Sequence, residues 1–300
     1  MDSPRIGVIG VGNMGLGIAL RLREQGLAVA VRDVDATREA LARAGGCTVA
    51  PTPAALAAAA DLLIIVVVDA AQTREVLFGA DGAAAALPAG ATVMLCPTIA
   101  PADTVAAAAE LARRGLAVID APMSGGPQRA REGRMSLMAA ADDEVFERWH
   151  PWLARMAEPV FRVGTRPGDG ARTKLVNNLL AAVNLMGAAE GLALAARLGL
   201  DPAVTLDVIE RSSGQSWVGS HRLRRALAGD TEVQAHMTLL AKDSALALAE
   251  ARRCGAVAEV GAAATAGFTR ALRSGLAGAD DSALYRWLLD DRSQQCADEA

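Results

Sequence analysis

The stretch Arg5-Ile-Gly-Val-Ile-Gly-Val-Gly-Asn-Met-Gly15 decides the fold, because a short apolar run leads directly into the pattern Gly-x-Gly-x-x-Gly. The run Arg5–Ile9 predicts a buried β-strand. Met14, Ile18 and Leu22 recur at helical spacing and predict a helix immediately after the glycines. A strand, a glycine-rich turn and a helix in this order open a βαβ unit of the kind that binds a dinucleotide.

The glycine loop supplies the first predicted cofactor-binding residues. Gly10 allows the tight turn, Gly12 lets the backbone approach a pyrophosphate, and Gly15 lets the helix pack closely on the strand. Asn13 and Met14 complete the loop. The N-terminus of the following helix would offer unpaired N–H groups and the positive end of its dipole to the phosphates.

An acidic residue at the end of the second strand predicts the type of dinucleotide. Asp33 follows the strand Ala28–Arg32, eighteen positions after Gly15. A carboxylate there accepts hydrogen bonds from the ribose hydroxyls and repels a 2′-phosphate, so NAD is favoured over NADP. Strand alternation points the side chain of Arg32 away from that of Asp33, although a mobile arginine could swing round.

The remaining pattern predicts two domains. Apolar runs separated by helical segments continue to about residue 163 and imply a parallel sheet that is covered on both faces. Their predicted bounds are Leu62–Val68, Ala91–Cys96, Ala117–Asp120, Leu137–Ala141 and Val160–Val163. Turn-forming residues fill Gly164–Gly170, and only helical patterns follow, beginning with a long one from Ala171 to Leu198.

The predicted fold is therefore α/β, with an N-terminal Rossmann-type doubly wound parallel sheet and an all-α C-terminal domain. We place the dinucleotide-binding domain at residues 1–166 and the helical domain, for substrate binding and dimerisation, at 167–300. The long helix is expected to lie between the domains. The long alanine-rich helices also suggest apolar surface that one copy does not bury, which favours a homodimer, with a homotetramer as the alternative.

Composition excludes several other classes of protein. The 300 residues carry a net charge of −4, which argues against nucleic acid as a partner. The four cysteines include no Cys-x-x-Cys pair, and the three histidines have no metal-ligand spacing, so we expect neither a disulfide framework nor a metal. The longest apolar run, Leu62–Val68, is too short for a bilayer. No signal peptide is recognisable, and a soluble, cytoplasmic protein is expected.

Four separated segments resemble the β-hydroxyacid dehydrogenase family, which includes the 3-hydroxyisobutyrate dehydrogenases. Together they cover nearly the whole chain. They are Ile6–Gly15, Asp120-Ala-Pro-Met-Ser-Gly-Gly126, Gly168-Asp-Gly-Ala-Arg-Thr-Lys174-Leu-Val-Asn-Asn178 and Lys242-Asp243. Smaller similarities, around Val68–Thr73 and Ser213–Trp217, favour the branch that oxidises L-threonate and related erythronates.

The resemblance implies a catalytic residue, Lys174. Oxidation of a hydroxyl group requires removal of a proton as well as a hydride, and a lysine whose pKa is lowered by burial can accept that proton. Asn178 lies one helical turn later on the same face. Its amide could bind the substrate or help to fix the lysine, whereas Asn177 points about 100° away and is the poorer candidate.

The resemblance also implies further contacts. Ser124, Gly125 and Gly126 would hold the carboxylate of the substrate. Thr98, together with the backbone of Val67 and Val68, would contact the cofactor, and Lys242 would reach it from the helical domain. Asp243 could be no more than the local ion-pair partner of Lys242. Arg129 stands where small residues are usual, and it either adds a second charge contact to the substrate or faces water.

The sequence thus predicts an NAD-dependent dehydrogenase of a small hydroxy acid, with a four-carbon sugar acid such as threonate favoured. Three other functions remain open: a semialdehyde reductase that runs the reaction in reverse with NAD(P)H, an imine reductase, and a non-catalytic dinucleotide-binding protein. Imine reductases usually lack a lysine at the position of Lys174, which counts against the second of these.

Overall fold

The computed structural model describes residues 3–290 and consists of two compact units, Met1–Lys174 and Leu175–Ala300. The described residues of the first unit form nine strands: β1 Ile6–Ile9, β2 Val29–Arg32, β3 Thr48–Val49, β4 Leu62–Ile65, β5 Thr92–Leu95, β6 Ala117–Asp120, β7 Met123–Ser124, β8 Ser136–Ala140 and β9 Val160–Gly164. Its helices are α1 Asn13–Glu24, α2 Ala36–Ala44, α3 Pro53–Ala57, α4 Ala70–Phe78, α5 Pro101–Ala112, α6 Gly126–Glu132 and α7 Asp143–Met156.

The long helix α8, Asp169–Arg197, begins in the first unit and continues into the second. The second unit then contains α9 Pro202–Glu210, α10 Trp217–Ala228, α11 Met237–Cys254, α12 Glu259–Arg273 and α13 Leu284–Asp290. Between residues 175 and 290 no strand forms, apart from a single bridge between His236 and Asp280. The predicted combination of a Rossmann-type sheet with an all-helical C-terminal part is confirmed.

The strands form one sheet in the order β3-β2-β1-β4-β5-β6-β8-β7, with β9 beside β8. The strands from β3 to β6 are parallel. The sequence predicts this arrangement for β1, β2, β4, β5 and β6 but does not indicate the two-residue strand β3. The chain runs outward from β1 through β2 to β3 and then returns to form β4 on the other side of β1. The carboxyl ends of β1 and β4 therefore flank the switch point where doubly wound sheets bind their ligands.

The last part of the sheet departs from a purely parallel prediction, because β8 runs antiparallel to both β6 and β7. Ser124 at the end of β7 pairs with Ser136 at the start of β8. The intervening helix α6 does not cross the sheet, so the chain enters β8 at the same end of the strands at which it left β7. Only a crossover to the opposite edge would have made β8 parallel.

One predicted strand was too long. The strand Leu62–Val68 ends at Ile65, and residues 66–68 form the loop that leads into α4. In that loop the Val68 N–H donates to Oε1 of Gln72 at 3.0 Å, while Asp69 caps α4. Val67 and Val68 therefore lie beyond the strand and not at its end. An apolar run shows where burial begins but not where sheet pairing stops.

Both faces of the sheet are buried, as the continuous apolar runs predict. Along β4, Leu62 and Ile64 belong to one apolar cluster, which includes residues of α1 and α7, whereas Leu63 and Ile65 belong to another, which includes residues of α5. This alternation follows from the two-residue period of a strand. The core therefore holds the strand ends, and the loops that follow them, in fixed positions.

The second unit packs around α8. Its core includes Leu185 and Leu192 from α8, Leu223 from α10, Met237 from α11 and Phe268 from α12. By length and composition alone α8 could cross a bilayer, but 39% of its most apolar window is buried. Burial of one stripe against neighbouring helices is the pattern of a core helix in a globular domain.

Replacement of Trp149 is expected to destabilise the first unit. The indole is 2% exposed, and its Nε1 donates to the buried Oγ1 of Thr92 at 2.8 Å, which joins α7 to β5. Trp149→Phe leaves that hydroxyl without its donor and should cost about 1–3 kcal/mol. Urea unfolding followed by circular dichroism measures the change. The matched control is Trp152→Phe on the same helix, where the side chain is only partly buried; equal losses in the two variants would refute the role of the hydrogen bond.

Candidate active site

The first part of the site is the glycine loop between β1 and α1. A side chain at Gly10 would collide with the carbonyl oxygen of Val66, and one at Gly15 would collide with the carbonyl oxygen of Gly10. Gly10 also has a φ of +90°, which favours glycine. The fold itself therefore requires both residues to be glycine.

Gly12 differs from its two neighbours in the motif. Its φ is −63°, and a Cβ added there would meet no protein atom within 4 Å. The packing of the described residues therefore gives no reason for glycine at this position. A ligand that approaches the backbone closely does give one, as a pyrophosphate does. Gly12 is also the N-cap of α1 and brings no side chain to cap the first turn, so that turn can bind an anion.

Asn13 and Met14 begin α1 directly after Gly12. The side chain of Asn13 accepts a hydrogen bond from Nη2 of Arg38 at 2.9 Å, which ties the glycine loop to α2. Met14 is partly buried against the sheet core. Arg38 thus adds a positive charge beside the loop, which the sequence analysis did not single out.

Asp33 lies directly after β2 and is bonded to the glycine loop. Its Oδ2 accepts from the Val11 N–H at 2.6 Å, and its Oδ1 accepts from the Asp35 N–H at 2.9 Å. The carboxylate is therefore fixed beside the loop, at the carboxyl edge of the sheet. Arg32 does not swing toward the Asp33 carboxylate, because its Nη1 donates to Oε1 of Glu39 at 2.6 Å and to the backbone carbonyl of Asp33.

The other predicted cofactor contacts of the first unit lie at the same edge. Val67 and Val68 follow β4, and Thr98 follows β5. These strands are parallel to β1, so their carboxyl ends lie at the same edge of the sheet as Gly10. The structure therefore brings the predicted residues of three loops to one side of the sheet.

The predicted carboxylate-binding turn, Ser124–Gly126, follows β7. Gly125 and Gly126 have φ values of +139° and +79°, so both positions favour glycine. Helix α6 begins in this turn and packs on α1, where a Cβ added to Gly17 would lie 3.0–3.2 Å from Pro127, Ala130 and Arg131. This close helix contact fixes the turn relative to the glycine loop.

Arg129, which the sequence left open, folds back over this turn. A Cβ added to Gly125 would lie 3.2 Å from both Cβ and Cδ of Arg129. The Nε of Arg129 donates to the carbonyl oxygen of Arg134 at 2.9 Å. The stem of the side chain therefore covers Gly125, and this bond holds the guanidinium group to the segment before β8.

The start of α8 is anchored to the end of β6. Asp120, which is 2% exposed, accepts hydrogen bonds on Oδ2 from the N–H groups of Gly168 at 2.7 Å and Ala171 at 3.0 Å. A Cβ at Gly170 would lie 2.6 Å from the carbonyl oxygen of Asp120 and 2.8 Å from that of Met138. The Gly168-Asp-Gly170 segment is therefore a close contact between helix and sheet and not a flexible linker.

Burial raises the pKa of Asp120 to about 6, although hydrogen bonds from the backbone of Ala171, Gly168 and Gly170 favour the ionised form. Lys174 follows in the next turn of α8 and is 7% exposed. A buried lysine is rare in a structural role, because the burial of an ammonium group costs free energy. This burial is the property that a proton-transferring lysine requires.

In the second unit, Asn178 on α8 meets Asp243 on α11. The Nδ2 of Asn178 donates to Oδ2 of Asp243 at 2.6 Å, and its Oδ1 accepts from Nδ2 of Asn177 at 3.0 Å. The other carboxylate oxygen of Asp243 pairs with Nζ of Lys242 at 2.8 Å. Asn178 and Asp243 are 8% and 6% exposed. Asp243 is thus more than an ion-pair partner, because it also fixes the Asn178 amide.

Neither Asp120 nor Asp243 is a predicted site residue. Asp243 lies on the apolar stripe of α11 between Leu240 and Ala247, and an acid on a buried stripe is a signal that it has a partner. Asp120 ends an apolar strand, which is a weaker signal. Within residues 3–290 no group of three or more His, Cys, Asp or Glu side chains could hold a metal ion. Cys47, Cys96 and Cys254 are unpaired thiols, and Cys296 lies outside the described residues.

Comparison with protein families matches both parts of the chain. Residues 5–164 match the NAD-binding domain of 6-phosphogluconate dehydrogenase, and residues 168–288 match a domain described as NAD-binding in NADP-dependent 3-hydroxyisobutyrate dehydrogenase. The two family domains meet near the predicted boundary at residues 166 and 167, whereas the compact units divide within α8 after Lys174.

Two curated relatives are L-threonate dehydrogenases. The protein from Cupriavidus necator is 39% identical over 95% of this chain and 96% of its own length. The one from Escherichia coli K12 is 37% identical over 94% of this chain and 93% of its own length. A 2-(hydroxymethyl)glutarate dehydrogenase from Eubacterium barkeri is 31% identical over 95% of this chain and 94% of its own length.

Solved structures agree with the fold. The 3-hydroxyisobutyrate dehydrogenase from Salmonella typhimurium has a TM-score of 0.89 at 34% identity, over 95% of this chain and 99% of that one. A complex of Psf3 with NADP+ and 2-OPP has a TM-score of 0.87 at 27% identity, over 94% of this chain and 99% of that one. An imine reductase from a Pseudomonas species is 19% identical with a TM-score of 0.63, and it shares the fold alone.

The matches extend over both parts of the chain, and the relatives are dehydrogenases of hydroxy acids. The chain belongs to the 3-hydroxyisobutyrate dehydrogenase-like family of NAD(P)-dependent oxidoreductases that act on CH–OH groups, and its sequence groups with the L-threonate dehydrogenases of that family.

Proposed function

We propose that this NAD(P)-dependent hydroxy-acid dehydrogenase oxidises a four-carbon sugar acid such as L-threonate, with NAD as the cofactor and Lys174 as the general base. Identity of 37–39% to L-threonate dehydrogenases over nearly the whole chain supports the substrate. The observation that carries the chemical assignment is the burial of Lys174 one turn after the anchored start of α8.

The first unit fits a dinucleotide. Gly12 leaves space that the protein does not fill, and the first turn of α1 would bind the pyrophosphate. Asp33 would accept hydrogen bonds from the ribose hydroxyls, while Val67, Val68 and Thr98 would contact the nicotinamide side. We assign Lys242 a role in cofactor binding. When bound, the nicotinamide ring supplies the acceptor for the hydride that leaves the substrate carbon.

The residues of the chain supply the rest of the chemistry. As the C–H hydride leaves the substrate, the neutral amine of Lys174 accepts the hydroxyl proton, so that a carbonyl group and an ammonium group form together. In the opposite direction the ammonium returns that proton.

Substrate binding is assigned to Ser124–Gly126 and Asn178. The hydroxyl of Ser124 and the N–H groups of the turn would hold the carboxylate of the substrate. Because the Asn178 amide donates to Asp243, its orientation is fixed before the substrate arrives. A preorganised polar group avoids the entropic cost of ordering during catalysis.

A substrate panel tests the proposed function most simply. The purified protein is assayed with NAD and with NADP on L-threonate, D-erythronate, 3-hydroxyisobutyrate, glycerate and a five-carbon aldonate. We expect the highest kcat/KM with L-threonate and NAD. A higher kcat/KM for 3-hydroxyisobutyrate would refute the substrate assignment. Reduction of tartronate semialdehyde with NADH, but no oxidation of any acid, would favour the semialdehyde reductase. Absence of all turnover despite NAD binding would favour a non-catalytic protein.

Replacement of Lys174 should remove catalysis but not cofactor binding. Lys174→Ala is expected to lower kcat by about 10²–10⁴-fold, the usual contribution of a general acid–base group. Calorimetric titration should give an NAD affinity close to that of the unaltered protein. Lys242→Ala serves as a lysine control, and it should raise the KM for NAD while kcat changes far less. Full turnover by Lys174→Ala would exclude the assigned role.

Asp33 should control the choice between NAD and NADP. Asp33→Asn keeps an acceptor for the Val11 N–H but removes the charge that would repel a 2′-phosphate. We expect the ratio of kcat/KM for NAD to that for NADP to fall by about 10-fold or more, since hydrogen bonds to charged groups contribute about 1.5–3 kcal/mol. Asp35→Asn, two residues away, is the control. An unchanged ratio would show that the Asp33 carboxylate does not distinguish the 2′-hydroxyl of NAD from the 2′-phosphate of NADP.

We also propose that the chain is a homodimer, with a second copy covering the outer face of α8. Val176, Leu180 and Leu194 on this face, and Leu198 directly after the helix, are 58–72% exposed. Gly187 and Gly191 lie between them, with open space where a Cβ would stand. Such a continuous apolar stripe commonly marks an interface.

The unpaired thiols in the described residues favour the reducing cytoplasm as the location.

The oligomeric state gives a direct test of that face. Sedimentation velocity at micromolar concentration should give a dimer for the unaltered protein and a monomer for Leu194→Glu. Leu41→Glu, at an exposed leucine of the first unit, is the matched control and should remain dimeric. A monomer before any substitution would contradict the proposal.

A further inference from the structure

We propose that Asp120 is a positioning residue for catalysis, which sets the place of Lys174 by holding the first turn of α8 against the end of β6. This inference rests on the proposed role of Lys174 and extends it to a residue whose side chain is not assigned to cofactor or substrate. The proposal starts from two hydrogen bonds. One oxygen of the buried Asp120 carboxylate accepts from Gly168 and Ala171, which lie on either side of the helix start.

Asp120 acts as a remote cap for α8. Helix N-termini leave several N–H groups without partners, and an ordinary capping residue lies next to them in the chain. Here the cap comes from a different element, 48 residues before Gly168. A negative charge at this end of a helix also interacts favourably with its dipole. The helix is therefore attached to the sheet by its own capping interaction.

The contact leaves little freedom of position. Gly170 lies against the carbonyl oxygens of Asp120 and Met138, at distances that no side chain would fit. Ala171 is 2% exposed and is directly bonded to Asp120. A movement of the first turn would break the hydrogen bonds or drive the helix backbone into the strand ends.

Lys174 is held through this turn. It follows Ala171 by three residues, which is slightly less than one helical turn. Side chains in a helix lean toward its N-terminus, so the stem of Lys174 extends over the turn that Asp120 fixes. A shift of about 1 Å in a reacting group can cost about 100-fold in rate. The hydrogen bonds to Asp120 therefore determine whether the amine of Lys174 lies within reach of the substrate hydroxyl.

Charged and titratable groups near Asp120 influence the pKa of its carboxyl group. Asp169 carries the nearest like charge, and its carboxylate is paired with Arg172 at 2.9 Å and Arg166 at 3.8 Å. The thiol of Cys96 is buried, and burial together with the charge of Asp120 raises its pKa, so it stays neutral. Because the pKa of Asp120 is raised to about 6, its carboxylate becomes protonated as the pH falls through that value.

A double-mutant cycle tests the proposal. The variants are Asp120→Ala, Lys174→Ala and the double variant, and kcat and KM are measured with saturating NAD and the acid that the panel selects. Asp120→Ala should lower kcat by about 10-fold or more, with the KM for NAD nearly unchanged. In the Lys174→Ala background the same substitution should lower kcat almost no further. Asp120 affects kcat only through the position of Lys174, and that lysine is already absent.

Asp120→Asn keeps a neutral acceptor and provides a second test if Asp120→Ala folds poorly. Its kcat should lie between those of the unaltered protein and Asp120→Ala. The kcat of the unaltered protein should fall by an additional step as the pH drops through about 6. Asp120→Asn should lack that step while it keeps the loss of kcat that follows from protonation of Lys174. The control is Asp201→Ala, which removes a carboxylate that caps α9 through two backbone N–H groups. It should lower thermal stability without changing kcat.

Four outcomes separate the possibilities. Multiplicative losses in the double variant, or an unchanged kcat in Asp120→Ala with a lower melting temperature, would overturn the positioning role while leaving that of Lys174 intact. A pH step retained in Asp120→Asn would also contradict it. Full activity of Lys174→Ala would instead refute the proposed function itself.

Discussion

The Asp120 carboxylate, buried at the end of β6, is the constraint on which the candidate site depends. It accepts hydrogen bonds from the N–H groups of Gly168 and Ala171 and so joins the sheet to the first turn of α8. Burial of a carboxylate is unfavourable, and the pKa of about 6 shows that the hydrogen bonds do not fully offset it. Lys174 lies in the turn of α8 that follows this interaction.

Close backbone approach at glycines gives the rest of the site its shape. Gly15 brings α1 against the end of β1, and Gly17 lets α6 pack on α1. Gly170 does the same for α8 at the end of β6 and the middle of β8. Three helix starts are thereby fixed with respect to one sheet edge. Gly12 has no such packing role, so its lack of a side chain is best explained by the dinucleotide.

Those parts of the fold that depend on neighbouring residues could be predicted from the sequence. The strand before Gly10, the helix after Gly12 and the acid at Asp33 follow from local periodicity and spacing, and the structure contains them. The antiparallel direction of β8 could not be predicted this way, because it depends on which strands pair across the sheet. The end of β4 at Ile65 was missed for a related reason, since apolar runs continue into buried loops.

Side-chain partnerships were the least predictable feature of the site. Asp243 is adjacent to Lys242, and the sequence alone suggested a simple ion pair, whereas its second partner, Asn178, is 65 residues away in the chain. Asp120 likewise has a hydrogen-bond partner far away in the chain, since Gly168 is 48 residues from it. The importance of Lys174 came from family resemblance, since an isolated lysine in a helical pattern predicts an exposed residue. Its burial in the structure gives that assignment a physical basis.

Hydrogen exchange at the start of α8 tests the central interaction most directly. Exchange rates of the Gly168 and Ala171 amides are compared between the unaltered protein and Asp120→Asn, with the amides of Ile64 and Val93 in the sheet as internal references. We predict strong protection at Gly168 and Ala171 that is selectively reduced in the variant, because a neutral amide oxygen is a weaker acceptor than a carboxylate oxygen. Equal protection in both proteins, or fast exchange at these two amides in the unaltered protein, would contradict the account.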